Sequence, residues 1–177
     1  SLQGLLGNPL AEPSLFGAPQ AGAAAAAAIM AFGFAGALSL AVPLGGIAGS
    51  LLSVGALVAI AGRRASLTVT LLAGLALASL AGAAIALIIN LAPNPYIALE
   101  IAFWLLGSLR DRSMEHVWLA SPFMIASWIV LALNAGAFRA LTLGEDAAAS
   151  LGVNVERTRI MVVIGVALGV GAAVAVA

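Results

Sequence analysis

The sequence predicts an all-α fold, a polytopic bundle of transmembrane helices, on three observations. Of 177 residues, 63% are hydrophobic and 8% charged, and the mean hydropathy is +1.17. An ordinary soluble domain carries about 25% charged residues, so this chain has too few polar side chains to cover a water-facing surface. Pro13–Gly62 runs for 50 residues without a charge, room for two spans of about 20 residues each. The remaining apolar runs are divided by short charged or turn-rich segments.

The composition also excludes. The formal net charge is zero and lysine is absent, so no basic patch for nucleic acid exists. Without cysteine there are no disulfides, thiolate metal sites or cysteine nucleophiles. A chain without lysine cannot carry the phosphate-binding Gly-x-x-x-x-Gly-Lys-Ser/Thr loop, so it is not itself a P-loop ATPase. No catalytic residue, metal site or resident cofactor is expected. His116 is the lone histidine and has no second ligand nearby in sequence, which favours an interfacial role.

The first ten residues lack the basic start of a signal peptide. The chain starts without methionine and stops in apolar sequence, which reads as a single transmembrane domain, residues 1–177, truncated at both ends. Span one is placed at Gln20–Val42. The break is expected at Pro43-Leu-Gly-Gly46, where proline and paired glycines favour a turn. Span two, Leu44–Gly62, ends at Arg63 and Arg64. Span three runs from Ser66 to Leu91 and closes in the turn-rich Asn90–Pro95.

Pro95–Leu106 is apolar but too short to cross: 12 residues of helix reach about 18 Å, against a hydrocarbon core of about 30 Å. Asn94 suits its N-cap, Pro95 its first position and Gly107 its end. Tyr96, Trp104 and Trp118 suit an interfacial aromatic belt. The charged loop Arg110–Glu115 follows. Val117–Phe138 is span four, with Pro122 tolerable near its start or as a kink, and span five runs from Ile160 to Ala177. Five arginines (63, 64, 139, 157, 159) fall on one side of this topology and two (110, 112) on the other. That bias puts residues 140–159 and the N-terminal Asn8–Pro13 in the cytoplasm, and the short Pro95–Leu106 helix on the outer face. Glycine pairs at 45/49 and 165/169 and the alanine run 23–28 allow close backbone approach, the packing device of a tight helix bundle in lipid.

The polar island Ala140–Arg159, with Arg139 at its edge, holds three of the seven acidic and three of the seven basic residues. Thr142-Leu-Gly-Glu145 fits a capping box, in which the Thr142 hydroxyl accepts from the Glu145 amide and the Glu145 carboxylate reaches back. Asp146 adds first-turn negative charge, Gly152 can end the helix in a left-handed turn, and Asn154 can cap a second helix leading into span five. Two readings stand on these residues alone: a docking surface, or a well-capped connecting loop.

Three blocks carry a resemblance: Leu2-Gln-Gly-Leu-Leu-Gly-Asn-Pro-Leu-Ala-Glu-Pro-Ser-Leu-Phe-Gly17, Trp104-Leu-Leu-Gly-Ser-Leu109 and Leu143-Gly-Glu-Asp-Ala-Ala-Ala-Ser-Leu-Gly-Val153. In order and spacing the chain resembles the FecCD permease family of ABC importers for iron-siderophores, haem and vitamin B12. The resemblance implies spans three to seven of a ten-span subunit. It implies that two permease copies pair as a homodimer on cytoplasmic ATPase subunits, which hold ATP and Mg²⁺, and that a periplasmic or lipoprotein binding protein delivers substrate. By the same resemblance, Leu143, Gly144, Glu145, Asp146, Ala149, Leu151, Gly152, Val153 and Asn154, within coupling helices over about 142–158, contact the ATPase. Ser66 and Thr68 fall at a candidate cytoplasmic gate; the alternative is that hydroxyls there bond their own helix. Glu100 faces either the outer end of the path or outer solvent. Arg110 and Arg112 meet the binding protein or form a solvated loop. Gly7 departs from the family, many of whose members carry a basic residue there. The expected location is the bacterial cytoplasmic membrane, in contact with lipid.

Two other classes remain at this point, an ion-coupled secondary transporter and a non-transporting membrane scaffold. Ion pathways need intramembrane ionisable residues, and spans one to four contain none.

Overall fold

The computed structural model describes residue 3 and residues 12–33, 40–62, 65–107 and 113–176. Asn8–Ala11, Arg63, Arg64, Arg110 and Arg112, all singled out above, lie outside the described residues. A single 3₁₀ turn, Pro13–Phe16, leads into eight helices among the described residues: α1 (Ala18–Ala31), α2 (Ala41–Ala61), α3 (Leu67–Asn90), α4 (Pro95–Leu105), α5 (Met114–Leu133), α6 (Ala135–Leu141), α7 (Glu145–Ser150) and α8 (Val155–Val176). Of these, α2, α3, α5 and α8 are long and apolar enough to cross a membrane.

The first half of the chain departs from the expected spans. Gln20–Val42 is not one helix: α1 ends at Ala31, and α2 begins at Ala41 and runs straight through Pro43-Leu-Gly-Gly46. Pro43 is the third residue of α2, where an amide would have no partner within the helix, so its missing N–H costs nothing. The paired glycines are packing positions rather than turn positions. A Cβ on Gly46 would meet Ala175 at 3.6 Å, and one on Gly49 would fall 2.6 Å from the Ala21 carbonyl.

With 14 residues, α1 reaches only about 21 Å. Its N-terminus lies inside the bundle. Gly17, at φ 73°, turns the chain against α3 beside Ala78, and Gly74 lies against Leu15 and Phe16. Gly74 is seven residues into α3, about 10 Å from its start. Irregular backbone at such depth survives only where protein encloses it. Here Phe16 is 2% exposed among Val54, Leu57, Val162 and Val166, and the Ser50 hydroxyl donates to the Ala18 carbonyl at 2.9 Å.

Around α1 the other elements fall into place. It runs antiparallel to α2 through Gly22, Gly46 and Gly49, and parallel to α3. The last span, α8, is antiparallel to α2, with Gly171 on Ser50, and to α5, with Gly169 on Ser127 and Gly165 on Val130 and Leu131. At one end Ile101 of α4 is fully buried with Ala27, Met30 and Ala31. The Asn94 side chain accepts from the Ile97 amide at 3.0 Å, so α4 starts at the expected cap.

Span four is also divided. The Asn134 amide donates to the Val130 carbonyl at 2.8 Å, and its backbone N–H reaches back three residues to Leu131 rather than four. The side chain thus takes over the carbonyl that a continuing helix would have used, and α5 gives way to α6.

A capped elbow at one end of the bundle

The end of α2, the start of α3 and the start of α8 lie together. They surround an open cavity of about 1030 Å³ lined by Ala61, Gly62, Ala65, Asn154, Arg157 and Met161. The opposite end holds α4, whose Trp104 shares a pocket with Val174 near the end of α8. Glu100 is exposed on α4 at that opposite end. The structure therefore places it far from the elbow and from Ser66 and Thr68.

Residues 142–154 form an elbow between α6 and α8. Its core is α7, six residues or about 9 Å long. The C-terminal cap is a Schellman motif: the Gly152 amide donates to the Ala149 carbonyl at 2.9 Å and the Val153 amide to the Ala148 carbonyl at 3.0 Å, with Gly152 at φ 85°. The Asn154 carboxamide then accepts from the Arg157 amide at 2.9 Å and opens α8. Both caps follow the sequence reading.

The N-terminal cap does not. Thr142 points away from α7 and donates to the Arg139 carbonyl at 2.7 Å. Gly144, at φ 100°, is the N-cap residue, with no side-chain cap. A capping box needs Thr142 to stand next to the helix, but Thr142 and Leu143 instead complete the turn that ends α6. The Glu145 carboxylate is thereby free for a distant partner. It accepts from Arg159 at 2.7 Å.

Leu143, Gly144, Glu145, Asp146, Ala149, Leu151, Gly152 and Asn154 are exposed, and Val153 is half-buried. Leu143 and Leu151, at 67% and 66% exposure, flank α7 as apolar knobs, while Ala148 on its other side is fully buried and seats the elbow on the bundle. Glu145 and Asp146 place two negative charges in the first turn, where they complement the helix dipole.

The candidate gate lies at this same end. The Ser66 hydroxyl caps α3 by accepting from the Val69 amide at 3.3 Å, and Thr70 donates to the Ser66 carbonyl at 3.0 Å. Thr68 is exposed. Two of these hydroxyls are thus engaged by their own helix.

Sequence reasoning gave Arg159 no role beyond its charge. It is 12% exposed on α8 and bonds both Glu145 and the Ala65 carbonyl, which precedes α3. These partners lie 14 and 94 residues away. The signal available in sequence was an arginine at the head of an apolar span, a charge that demands a partner.

Helices of spanning length, a helix too short to span at one end and a capped polar elbow at the other define a multi-pass membrane protein. The FecCD transport family matches residues 1–177, and the chain belongs to that family. It is 37% identical to the uncharacterized ABC transporter permease protein YvrB of Bacillus subtilis, over 99% of this chain and 51% of that protein. It is 31% identical to the hemin transport system permease protein HmuU of Yersinia pestis, over 99% of this chain and 53% of that one. A solved inward-facing metal-chelate type ABC transporter superposes with a TM-score of 0.88 at 26% identity, covering 99% of this chain and 55% of its own. The chain spans about half the length of these relatives.

Proposed function

We propose that this chain is the central part of the membrane-spanning subunit of an ABC importer for a metal chelate, haem or cobalamin. Two copies form the pathway in a bacterial cytoplasmic membrane. ATP, with Mg²⁺, is hydrolysed on separate cytoplasmic subunits, and a binding protein delivers substrate to the outer face, where Glu100 and the loop bearing Arg110 and Arg112 meet it. The relatives that support the substrate class are named for hemin, vitamin B12 and Fe(3+)-citrate import.

The observation that carries the reading is the elbow. A connecting loop has no need of two exposed leucines 67% and 66% accessible on a helix of six residues locked by a Schellman cap. A lever does. Its apolar knobs fill a cleft on the ATPase subunit, its caps keep it from unwinding under load, and its junction with α8 passes displacement to the spans. Ser66 and Thr68 line the narrowing at the cytoplasmic end, with the Ser66 cap fixing the α3 terminus.

Co-purification tests this. The complete permease retains its ATPase subunits through detergent extraction. Leu143→Asp/Leu151→Asp loses them while the permease itself stays folded, because both leucines point away from the bundle. Undiminished retention by that double variant refutes the docking surface.

A further inference from the structure

We propose that Arg159 is a positioning residue, the strut that makes α7, the first turns of α8 and the start of α3 move as one body. The proposal rests on the permease reading and names a transmission route within it.

The covalent chain links α7 to α8 through the Gly152 turn, but nothing covalent links α7 to α3. Nor does packing among the described residues serve, because Gly62, Ala65 and the first turns of α8 line an open cavity of about 1030 Å³. Deeper in, Arg159 shares a constricted pocket with Leu57, Val58, Thr70, Ile160 and Val163, where α2, α3 and α8 converge. From there its guanidinium spans the gap. One terminal nitrogen donates to the Ala65 carbonyl and the other to Glu145 at 2.7 Å. Ala65 directly precedes Ser66, the N-cap of α3.

The chemistry suits a strut. The guanidinium is planar, always charged, and presents donors in a fixed fork, so one side chain can hold two acceptors at a set separation. Lysine, a point charge on a flexible stem, cannot fix both. The carbon stem is enclosed, leaving Arg159 12% exposed, while Glu145 is 56% exposed. The strut is therefore rooted in the bundle and grips the elbow from inside. Arg159 Nε is buried and has no acceptor among the described residues, so two contacts fix this charged group. Any tilt of α7 pulls on Arg159, and Arg159 pulls on the backbone that caps α3.

The test uses the complete permease with its ATPase subunits and binding protein in lipid nanodiscs and liposomes. Spin labels at Val69 and Ser150 report the α3–α7 distance. Both positions are exposed, and this stretch of chain has no cysteine to interfere. The unmodified strut gives one narrow distance distribution. Glu145→Gln removes the charge pair at an exposed position while keeping Arg159 on Ala65, so it tests the strut without threatening the fold. Arg159→Lys keeps the charge and loses the fork. Both broaden the distribution, and both lower substrate moved per ATP hydrolysed about fivefold, within the usual range of coupling between sites. A variant that keeps the wild-type distance overturns the strut, whatever happens to uptake. A broadened distance with unchanged uptake per ATP overturns it as a transmitter. Absence of ATP-driven uptake in the wild type, with the distances behaving as stated, defeats the permease reading and leaves the strut standing.

Discussion

In the middle of the bundle, Gly22, Gly49 and Gly74 sit in helices whose neighbours press against them. A Cβ on Gly49 would fall 2.6 Å from the Ala21 carbonyl, and one on Gly74 would fall 2.9 Å from Phe16 Cα. In the elbow, Gly144 and Gly152 face open space, and their φ angles of 100° and 85° are what exclude a side chain. The two regions use one residue type against two different obstacles, steric approach in the first and backbone handedness in the second. The bundle region resists any added volume, whereas the elbow resists only residues that cannot adopt the left-handed conformation. Each region therefore fails in its own way. A defect in the bundle lowers stability. On the proposed lever reading, a defect in the elbow spares the fold and breaks transmission.

The sharpest separation comes from Gly74→Val. The valine methyls must displace the 3₁₀ turn that carries Phe16 into the core, and α1 starts from that turn. Overpacking costs of this kind run to about 3 kcal/mol. We expect a large fall in the thermal unfolding midpoint of the detergent-solubilised permease and little assembled protein. Near wild-type stability would mean that the turn can leave α3 freely, and the contrast between the regions would fail.

Gly152→Val is the matching change in the elbow. A β-branched residue at φ 85° costs about 1–2 kcal/mol, and the Schellman cap opens. Because Gly152 is exposed, this strain falls on the elbow rather than on the bundle core. We expect a folded, ATP-hydrolysing complex that no longer transports. Gly152→Asn, which tolerates the left-handed region, restores transport. Wild-type uptake by the valine variant would count against a rigid lever.

The same contrast explains what the sequence made legible. Charge deserts located the apolar helices, because lipid admits little else. Asn94, Gly152 and Asn154 were legible as caps because capping is local, acting over three or four residues. Pro43-Leu-Gly-Gly46 misled because a glycine pair has the same letters whether it turns a chain in water or admits a neighbour in lipid. Only the location of Ala21 and Ala175 distinguishes the two. The half-length of α1 was hidden for a related reason. The turn at Gly17 is stabilised by α3, some 60 residues on, and no local pattern announces it. Thr142 and Glu145 fit a capping box by spacing, yet the better partner for Glu145 was Arg159, a full helix and turn away.

The smallest expected effect tests where the comparison stops. Gly82 is a third kind of glycine, helical, exposed, and with nothing within 4 Å of the point where a Cβ would stand. It lies on the same face of α3 as Leu75, seven residues earlier and more than half exposed. Neither steric approach nor handedness protects it, so Gly82→Ala should stabilise the helix by about 0.5–1 kcal/mol through reduced backbone entropy. Thermal unfolding of the complete permease reads this directly. A clear destabilisation instead would put Gly82 in the first class, with a helix from outside these 177 residues pressed against α3 as closely as α1 presses against Gly49.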